Sequence, residues 1–367
     1  MTSITDSTLG AVRPTTPRDP AAPHPTSTYS ALMRTVRDAG LLRRRRGFYY
    51  AVFAALVVAL GGAITGFVLL GDSWYQLLIA AALGIILTQI AFVTHEASHR
   101  QVFESGKAND RAGRWLAAGV VGISYHWWMH KHSRHHSKPN QVGADPDIAP
   151  DTIRFTASDA ADVQGPLAFI TRRQGWLFFP LLTLEGLNLH VRSIMSLFEK
   201  GKIEGRALEL TLIGLRLSLY VAVIFWALPL GMAFAFIGVQ MAVFGVYMGA
   251  SFAPNHKGMP ILPHDSKLDF LSRQIITSRN IKGGWWSTAL FGGLNHQVEH
   301  HLFPNMPRPA LAKAREITRE YARDLGIPYT EAGIGESYRI VIRYLNEVGL
   351  QARDPFDCPM VNRFRRA

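Results

Sequence analysis

The chain is organised by long uncharged apolar runs separated by short polar stretches. No residue in 47–71 is charged, and none in 74–93. At about 1.5 Å of rise per residue, each run is enough helix to cross a hydrocarbon core about 30 Å thick. Gly71-Asp72-Ser73 turns the chain between them, and Trp74 suits a membrane–water interface. A second pair of runs, 208–228 and 232–252, is divided by Pro229-Leu230-Gly231. The pattern predicts an all-α integral membrane protein with four spans, about 48–70, 74–94, 208–228 and 232–252, in two hairpins. Arg216 interrupts the third run, where it would snorkel to the nearer interface or meet an anionic group.

Between the pairs the pattern changes. Residues 115–128 are apolar but too few to cross a bilayer, and 176–189 is broken by Pro180 and Glu185. Such segments are expected to lie in the interface or re-enter. The first thirty residues hold five prolines and few large apolar side chains, so 1–30 is expected to be a disordered tail. Residues 31–330 then form the membrane domain and 331–367 a C-terminal tail. The first apolar run exceeds a signal-peptide core and no small-residue cleavage motif follows it, which favours a retained span.

Charge sets the expected orientation. The net charge is +12, with only 18% charged residues against 48% hydrophobic ones. Arg43 to Arg46, the Lys/Arg-rich middle segment and the chain after Phe252 all fall on one side of the predicted spans. The turns at Asp72 and Pro229 carry no Lys or Arg. The positive-inside rule places both termini and the middle segment in the cytoplasm, as a helical cap. A single cysteine, Cys358, excludes internal disulfides and thiolate-cluster chemistry of the iron–sulfur or zinc-finger kind.

The chemistry lies in the histidines, fourteen in all. His95 and His99 end the second span one helical turn apart, on one face. The middle segment carries His132, His135 and His136, with His132 at helical spacing to both others. His256 follows the fourth span, and Gln297, His300 and His301 come after it. The topology, drawn without these residues, puts every cluster on one membrane face. Imidazole suits iron, zinc, copper and nickel, and eight or more imidazoles exceed the four to six ligands of one ion but suit two. Glu299-His300 lacks the Glu-x-x-His spacing of soluble carboxylate-bridged di-iron bundles.

At these residues the sequence resembles the membrane fatty acid desaturase family. Its three histidine boxes are matched by His95/His99, His132/His135/His136 and Gln297/His300/His301. The run Gln297-Val298-Glu299-His300-His301-Leu302-Phe303-Pro304 is similar to the third box of the branch with Gln in first position, which includes acyl-CoA and front-end desaturases. The resemblance covers roughly residues 45–330. It implies two iron ions held by His95, His99, His132, His135, His136, His256, Gln297, His300 and His301, with His256 in the place of the acyl-CoA members' extra ligand. It implies oxygen-dependent insertion of a double bond into a fatty acyl chain carried by CoA or a lipid. His296, beside Gln297, is an alternative ligand; His130, Asp145 and Asp147 are candidates for the shell around the metals. Asp145-Pro146-Asp147 is equally an ordinary turn, and His126 and His130 read as interfacial. His24, His190 and His264 read as polar surface or interfacial residues.

Other functions use parts of the same pattern. A hydroxylase or ketolase would use the same boxes. His95-Glu96-x-x-His99 is also the signature of a zinc protease, but that reading leaves the second and third boxes without a role. A metal transporter would place ligands at mid-membrane on broken helices, where these runs have almost none. No His-Pro-Gly-Gly motif, dinucleotide fingerprint or thiolate cluster supplies electrons. No fused cytochrome b5 domain is therefore expected. A separate ferredoxin or cytochrome b5 with its reductase should dock by charge, near Lys131, Arg134 and Lys138. Membrane lipid is a further partner, and nucleic acid is not expected.

Overall fold

The computed structural model describes residues 25–350, so Cys358, His24 and most of the expected terminal tails lie outside the described residues. Helix α1 (Pro25–Asp38) leads into α2 (Arg46–Leu70), α3 (Gln76–Ser98) and α4 (Gly106–Arg114). A π-helical turn, Trp115–Val121, precedes α5 (Tyr125–Ser137). Short helices α6 (Ala157–Ala161) and α7 (Pro166–Thr171) precede α8 (Gln174–Leu182) and α9 (Glu185–Ser196). Then come α10 (Arg206–Ala227), α11 (Leu230–His256), α12 (Phe270–Ile276), α13 (Trp285–Leu290) and α14 (Gln297–Leu302). Helices α15 (Leu311–Asp324) and α16 (Ile334–Leu350) close the described chain.

Four helices, α2, α3, α10 and α11, are long and apolar enough to cross a membrane. Together with the mostly helical chain, they make this a membrane protein. Helices α3 and α11 form the inner pair. Gly84 lets them approach, since a Cβ there would meet the Gln240 carbonyl oxygen at 2.9 Å. Small residues allow this closeness where lipid offers no hydrophobic drive for helices to associate. Helix α2 packs on α3 and leaves most of its surface exposed, as α10 also does.

The inner helices outrun the expected spans. Hydropathy ends at 94 and 252, yet α3 continues to Ser98 and α11 to His256. The added turns are polar but buried, so their side chains find partners inside the protein rather than in lipid. Residues 115–128 are not one segment: Gly122, at φ 94°, ends the π turn, and the Ser124 hydroxyl accepts from Trp127 N at 3.1 Å to start α5. Residues 176–189 likewise divide into α8 and α9. Arg216 donates to the Val120 carbonyl at 3.0 Å, capping that π turn.

The terminal boundaries also differ from expectation. Residues 25–30 belong to α1, whose Leu32 and Val36 pack on Leu271, Val298, Leu302 and Phe303. Within 331–367, α16 buries Val341 and Leu345 against Phe178 and Leu182. The apolar spacing of both helices buries one face each, which composition averaged over a tail conceals. A two-stranded parallel ribbon pairs β1 (Arg279–Ile281) with β2 (Thr330–Ala332), Arg279 opposite Thr330.

Candidate metal centre

Two clusters of histidine nitrogen form where α3, α5, α11 and α14 meet. His95, His99, His132, His136 and His300 make one group, and His135, His256 and His301 the other. Within each group the nitrogens lie within 4.8 Å of one another. Helical geometry explains the division. Residues four apart share a face, so His95 joins His99 and His132 joins His136. Adjacent residues diverge by about 100°. Each His-His pair, 135/136 and 300/301, therefore sends one ring to each group.

The three-histidine group is held from behind. His135 Nδ1 lies 3.0 Å from Asp145 Oδ2 and 3.4 Å from Asp147 Oδ2. His256 Nδ1 lies 2.9 Å from the Thr277 carbonyl oxygen, and His301 Nδ1 2.9 Å from Gln274 Oε1. With Nδ1 donating, Nε2 keeps its lone pair and faces the group, the arrangement typical of metal-bound imidazole. Asp145 also accepts from the backbone N–H groups of Asn140 and Asp147, so it makes a turn and orients His135 at once.

The donor set fits a metal cation. His132 Nε2 lies 3.0 Å from His95 Nε2 and 2.7 Å from His99 Nε2. Both ring nitrogens of His136, and Nε2 of His300 and His301, are buried with no hydrogen-bond partner among the described residues. Burial, reinforced by neighbouring imidazoles, holds His132, His136, His300 and His301 well below the usual histidine range. Burial takes His99 down to about 3. These rings are neutral, with the free lone pairs that coordination requires. Burial acts the same way on His135, but the Asp145 and Asp147 carboxylates outweigh it and raise its pKa.

The remaining sequence candidates take other places. Gln297 sits at the smaller group, Nε2 2.8 Å from His256 Nε2, while its Oε1 accepts from Asn255 at 3.2 Å. His296 belongs to neither group: it precedes α14 with non-helical backbone, and its Nε2 lies 3.3 Å from Thr288 Oγ1. His130 is exposed, two residues and about 200° round α5 from His132. His126 is half-buried, and its backbone N–H lies 3.3 Å from the Glu209 carboxylate. His264 is exposed. His190 is not a surface residue: it is buried, with Nδ1 2.7 Å from the Gly186 carbonyl oxygen and Nε2 3.2 Å from that of Val121.

Glu96 turns away from the histidines beside it. It receives two bonds from the Arg308 guanidinium, at 2.7 and 2.6 Å, and one from Tyr49 at 3.3 Å. A protease of the His-Glu-x-x-His type needs that carboxylate free as a base at the metal; here it is committed to a buried ion pair. Sequence reasoning missed Arg308, Gln274, Thr277 and Glu209. Glu209 accepts from Ser124 Oγ at 2.7 Å and from Arg114 Nε at 3.0 Å, seating the start of α5 on α10. None of these partners carries a local motif. Only the adjacency of Glu96 to His95 hinted at any of them.

Below the larger group is a narrow apolar cavity, lined by Phe92, His95, Val121, Trp128, Met248 and Phe252 among others. Apart from Thr94 and His95, the lining is apolar.

Residues 72–333 match the family model described as fatty acid desaturase. Among similar proteins, the Delta(8)-fatty-acid desaturase of Helianthus annuus is 28% identical over 350 residues, covering 89% of this chain and 74% of its own. The acyl-lipid (9-3)-desaturase of Borago officinalis is 25% identical, covering 89% and 75%. The Delta(6)-fatty-acid desaturase fat-3 of Caenorhabditis elegans is 26% identical, covering 88% and 74%. The matched region runs from the turn before α3 to the end of β2 and contains every histidine of both groups. The chain belongs to the fatty acid desaturase family.

Proposed function

We propose that this desaturase holds two irons, one in each histidine group, and acts on an acyl chain drawn from the bilayer into the cavity below His95. Fatty acid desaturation is an oxygen-dependent oxidation, and iron is the metal of this family. The observation that carries the two-ion reading is the division of both His-His pairs between two separate groups. The ligands assigned are His95, His99, His132, His136 and His300 to one iron, and His135, His256 and His301, with Gln297 beside them, to the other.

Iron held there would activate dioxygen, the oxidant: two hydrogens from adjacent methylenes, with two electrons and two protons from outside, would reduce it to two waters. The protein supplies position. Phe92, Trp128 and Phe252 offer an apolar lining that would pack on the alkyl chain and exclude water, setting which carbon pair stands beside His95. Asp145, Thr277 and Gln274 keep three imidazoles in one tautomer.

In this reading the four spans pair as α2 with α3 and α10 with α11, and α4, α5, α12, α14 and α15 form a cap over the histidine-bearing ends. Arginines 43–46 and the basic middle segment support a cytoplasmic position for that cap. The three relatives named above act, by their names, on fatty acids or acyl lipids. We assign this chain an acyl-CoA or acyl-lipid substrate and an external one-electron donor of the ferredoxin or cytochrome b5 type.

Two measurements test this reading. Iron analysis of the purified protein should give two per chain; one zinc per chain, with activity restored by zinc alone, would refute it. Expression in a desaturase-deficient host should yield a new unsaturated acyl product, whose recovery from lipid or CoA fractions identifies the carrier. A hydroxylated or keto product would move the assignment to another oxygenase chemistry.

A further inference from the structure

Helix α13, Trp285–Leu290, joins no histidine group, yet it presents Trp285 84% exposed, Trp286 49% and Leu290 43%. Its opposite side is fastened to the two inner spans. Gln89 of α3 donates to the Ala289 carbonyl at 3.1 Å, and Tyr247 of α11 donates to the Leu290 carbonyl at 2.6 Å. Gln89 also donates to the Tyr247 hydroxyl at 2.5 Å. The end of α13 is thereby tied to both helices at one level.

That level is inside the span. Gln89 precedes His95 by six positions and Tyr247 precedes His256 by nine. At 1.5 Å per residue these are about 9 and 14 Å down the helices from the histidines. Gln89 is thirteen positions, or about 20 Å, from the far end of α3 at Gln76, within the ~30 Å that hydrocarbon occupies. Trp285 and Trp286 begin the six-residue helix whose end is tied at this level, at most about 8 Å along it from Leu290, and exposed tryptophans so close to the spans suit lipid and its headgroup boundary.

The segment also borders the acyl cavity. Phe291, next after α13, packs with Phe92, which lines that cavity. Gly292, at φ 57°, lies so close to Phe92 that a Cβ would meet its ring at 2.4 Å. Phe92 thus touches both the cavity and the residue that follows α13.

We infer that α13 is a lipid-contacting segment, inserted in the leaflet on the histidine-bearing side, with Trp285 and Trp286 seated in the bilayer beside the cavity. The inference rests on the spanning assignment of α3 and α11 and not on the identity of the metal.

The single cysteine makes the test direct. In a Cys358→Ser background, nitroxide labels are placed singly at Trp285→Cys and Trp286→Cys in the full chain, reconstituted in phosphatidylcholine nanodiscs. Val68→Cys, on the exposed face of α2, is the lipid reference, and Lys313→Cys, exposed on α15, is the water reference. Collision with dissolved oxygen should exceed collision with a water-soluble nickel chelate at 285 and 286, as at 68, with the reverse ratio at 313. Labels at both 285 and 286 that match 313 while 68 remains lipid-like would overturn the inference alone. A water-like label at 68 would overturn the spanning assignment of α2, and with it that of α3, on which α2 packs, and this inference. The paired labels keep the result readable if one substitution prevents folding.

Discussion

Asp145 contacts His135 with a carboxylate that is itself fully buried, and neighbours of this kind tune a ligand without touching the metal. Asp145→Asn keeps an acceptor for only one of the two turn N–H groups, Asn140 or Asp147, and removes the charge beside His135; it should weaken metal binding by about 10–100-fold, read by competition with a chelator. Unchanged affinity would mean that the pair only shapes the turn. First-group ligands should be less forgiving. His300→Ala should abolish activity, because its Nε2 faces the group with no other partner and no neighbour can replace it. His296→Ala should be nearly silent, since that ring faces Thr288. Gln297 is intermediate: it touches His256 but is a neutral amide, so Gln297→His should retain activity and Gln297→Ala should cost less than His300→Ala. A Gln297→Ala protein as inactive as His300→Ala would make Gln297 a full ligand.

At the scale of elements, the buried Glu96–Arg308 pair fastens α3, with His95 and His99, to the chain that follows α14, with His300 and His301. The Tyr49 hydroxyl accepts from Arg308 N at 3.2 Å and donates to Glu96, so α2 joins the same knot. Removing one member leaves a buried charge unpaired, at a cost of about 3–5 kcal/mol. Glu96→Gln and Arg308→Met should each lower the melting temperature strongly. The double variant should be far less damaging than the two effects added, which is the signature of direct coupling. Additive losses would show that the two side chains act independently. The start of α5 is open to a milder test. Ser124→Ala removes the cap from Trp127 N and a bond to Glu209, and should cost about 1 kcal/mol in thermal stability.

For the molecule as a whole, the proposed reaction needs electrons delivered from outside to the buried histidine groups. The basic surface near α5 is the candidate docking face, but the structure changes its membership. Lys131 is held by Asp147 at 2.6 Å, and Asp147 in turn approaches His135. Neutralising Lys131 would disturb the metal site and confuse the result. Arg134 and Lys138 are exposed, and these carry the test. Reduction of the iron by an acidic carrier, without acyl substrate, should slow as ionic strength rises. It should slow further in Arg134→Gln/Lys138→Gln. A rate indifferent to salt and to both substitutions would remove this face from consideration and leave the charges to topology.

The four spans were legible in the sequence because lipid imposes a local rule: every backbone group must be satisfied within its own helix, so a long uncharged run declares itself without reference to the rest of the chain. The histidine boxes were legible for a related reason, since helical periodicity puts residues four apart on one face whatever surrounds them. Where those faces point is not local. Which ring of 135/136 or 300/301 enters which group depends on how α3, α5, α11 and α14 cross, and helix crossing is set by packing, at close approaches such as Gly84 against α11. The same holds for the hydrogen-bond partners of the histidines. Asp145 was visible as a turn because a turn is a matter of neighbouring residues, whereas Gln274 and Thr277 reach His301 and His256 across 27 and 21 positions. Arg308 reaches Glu96 across 212. Contacts over such separations leave no periodic trace in one sequence. The helices and the histidine boxes were therefore local properties of the chain, while the division into two groups, and the bonds that hold each ring in place, were decided only when the helices packed.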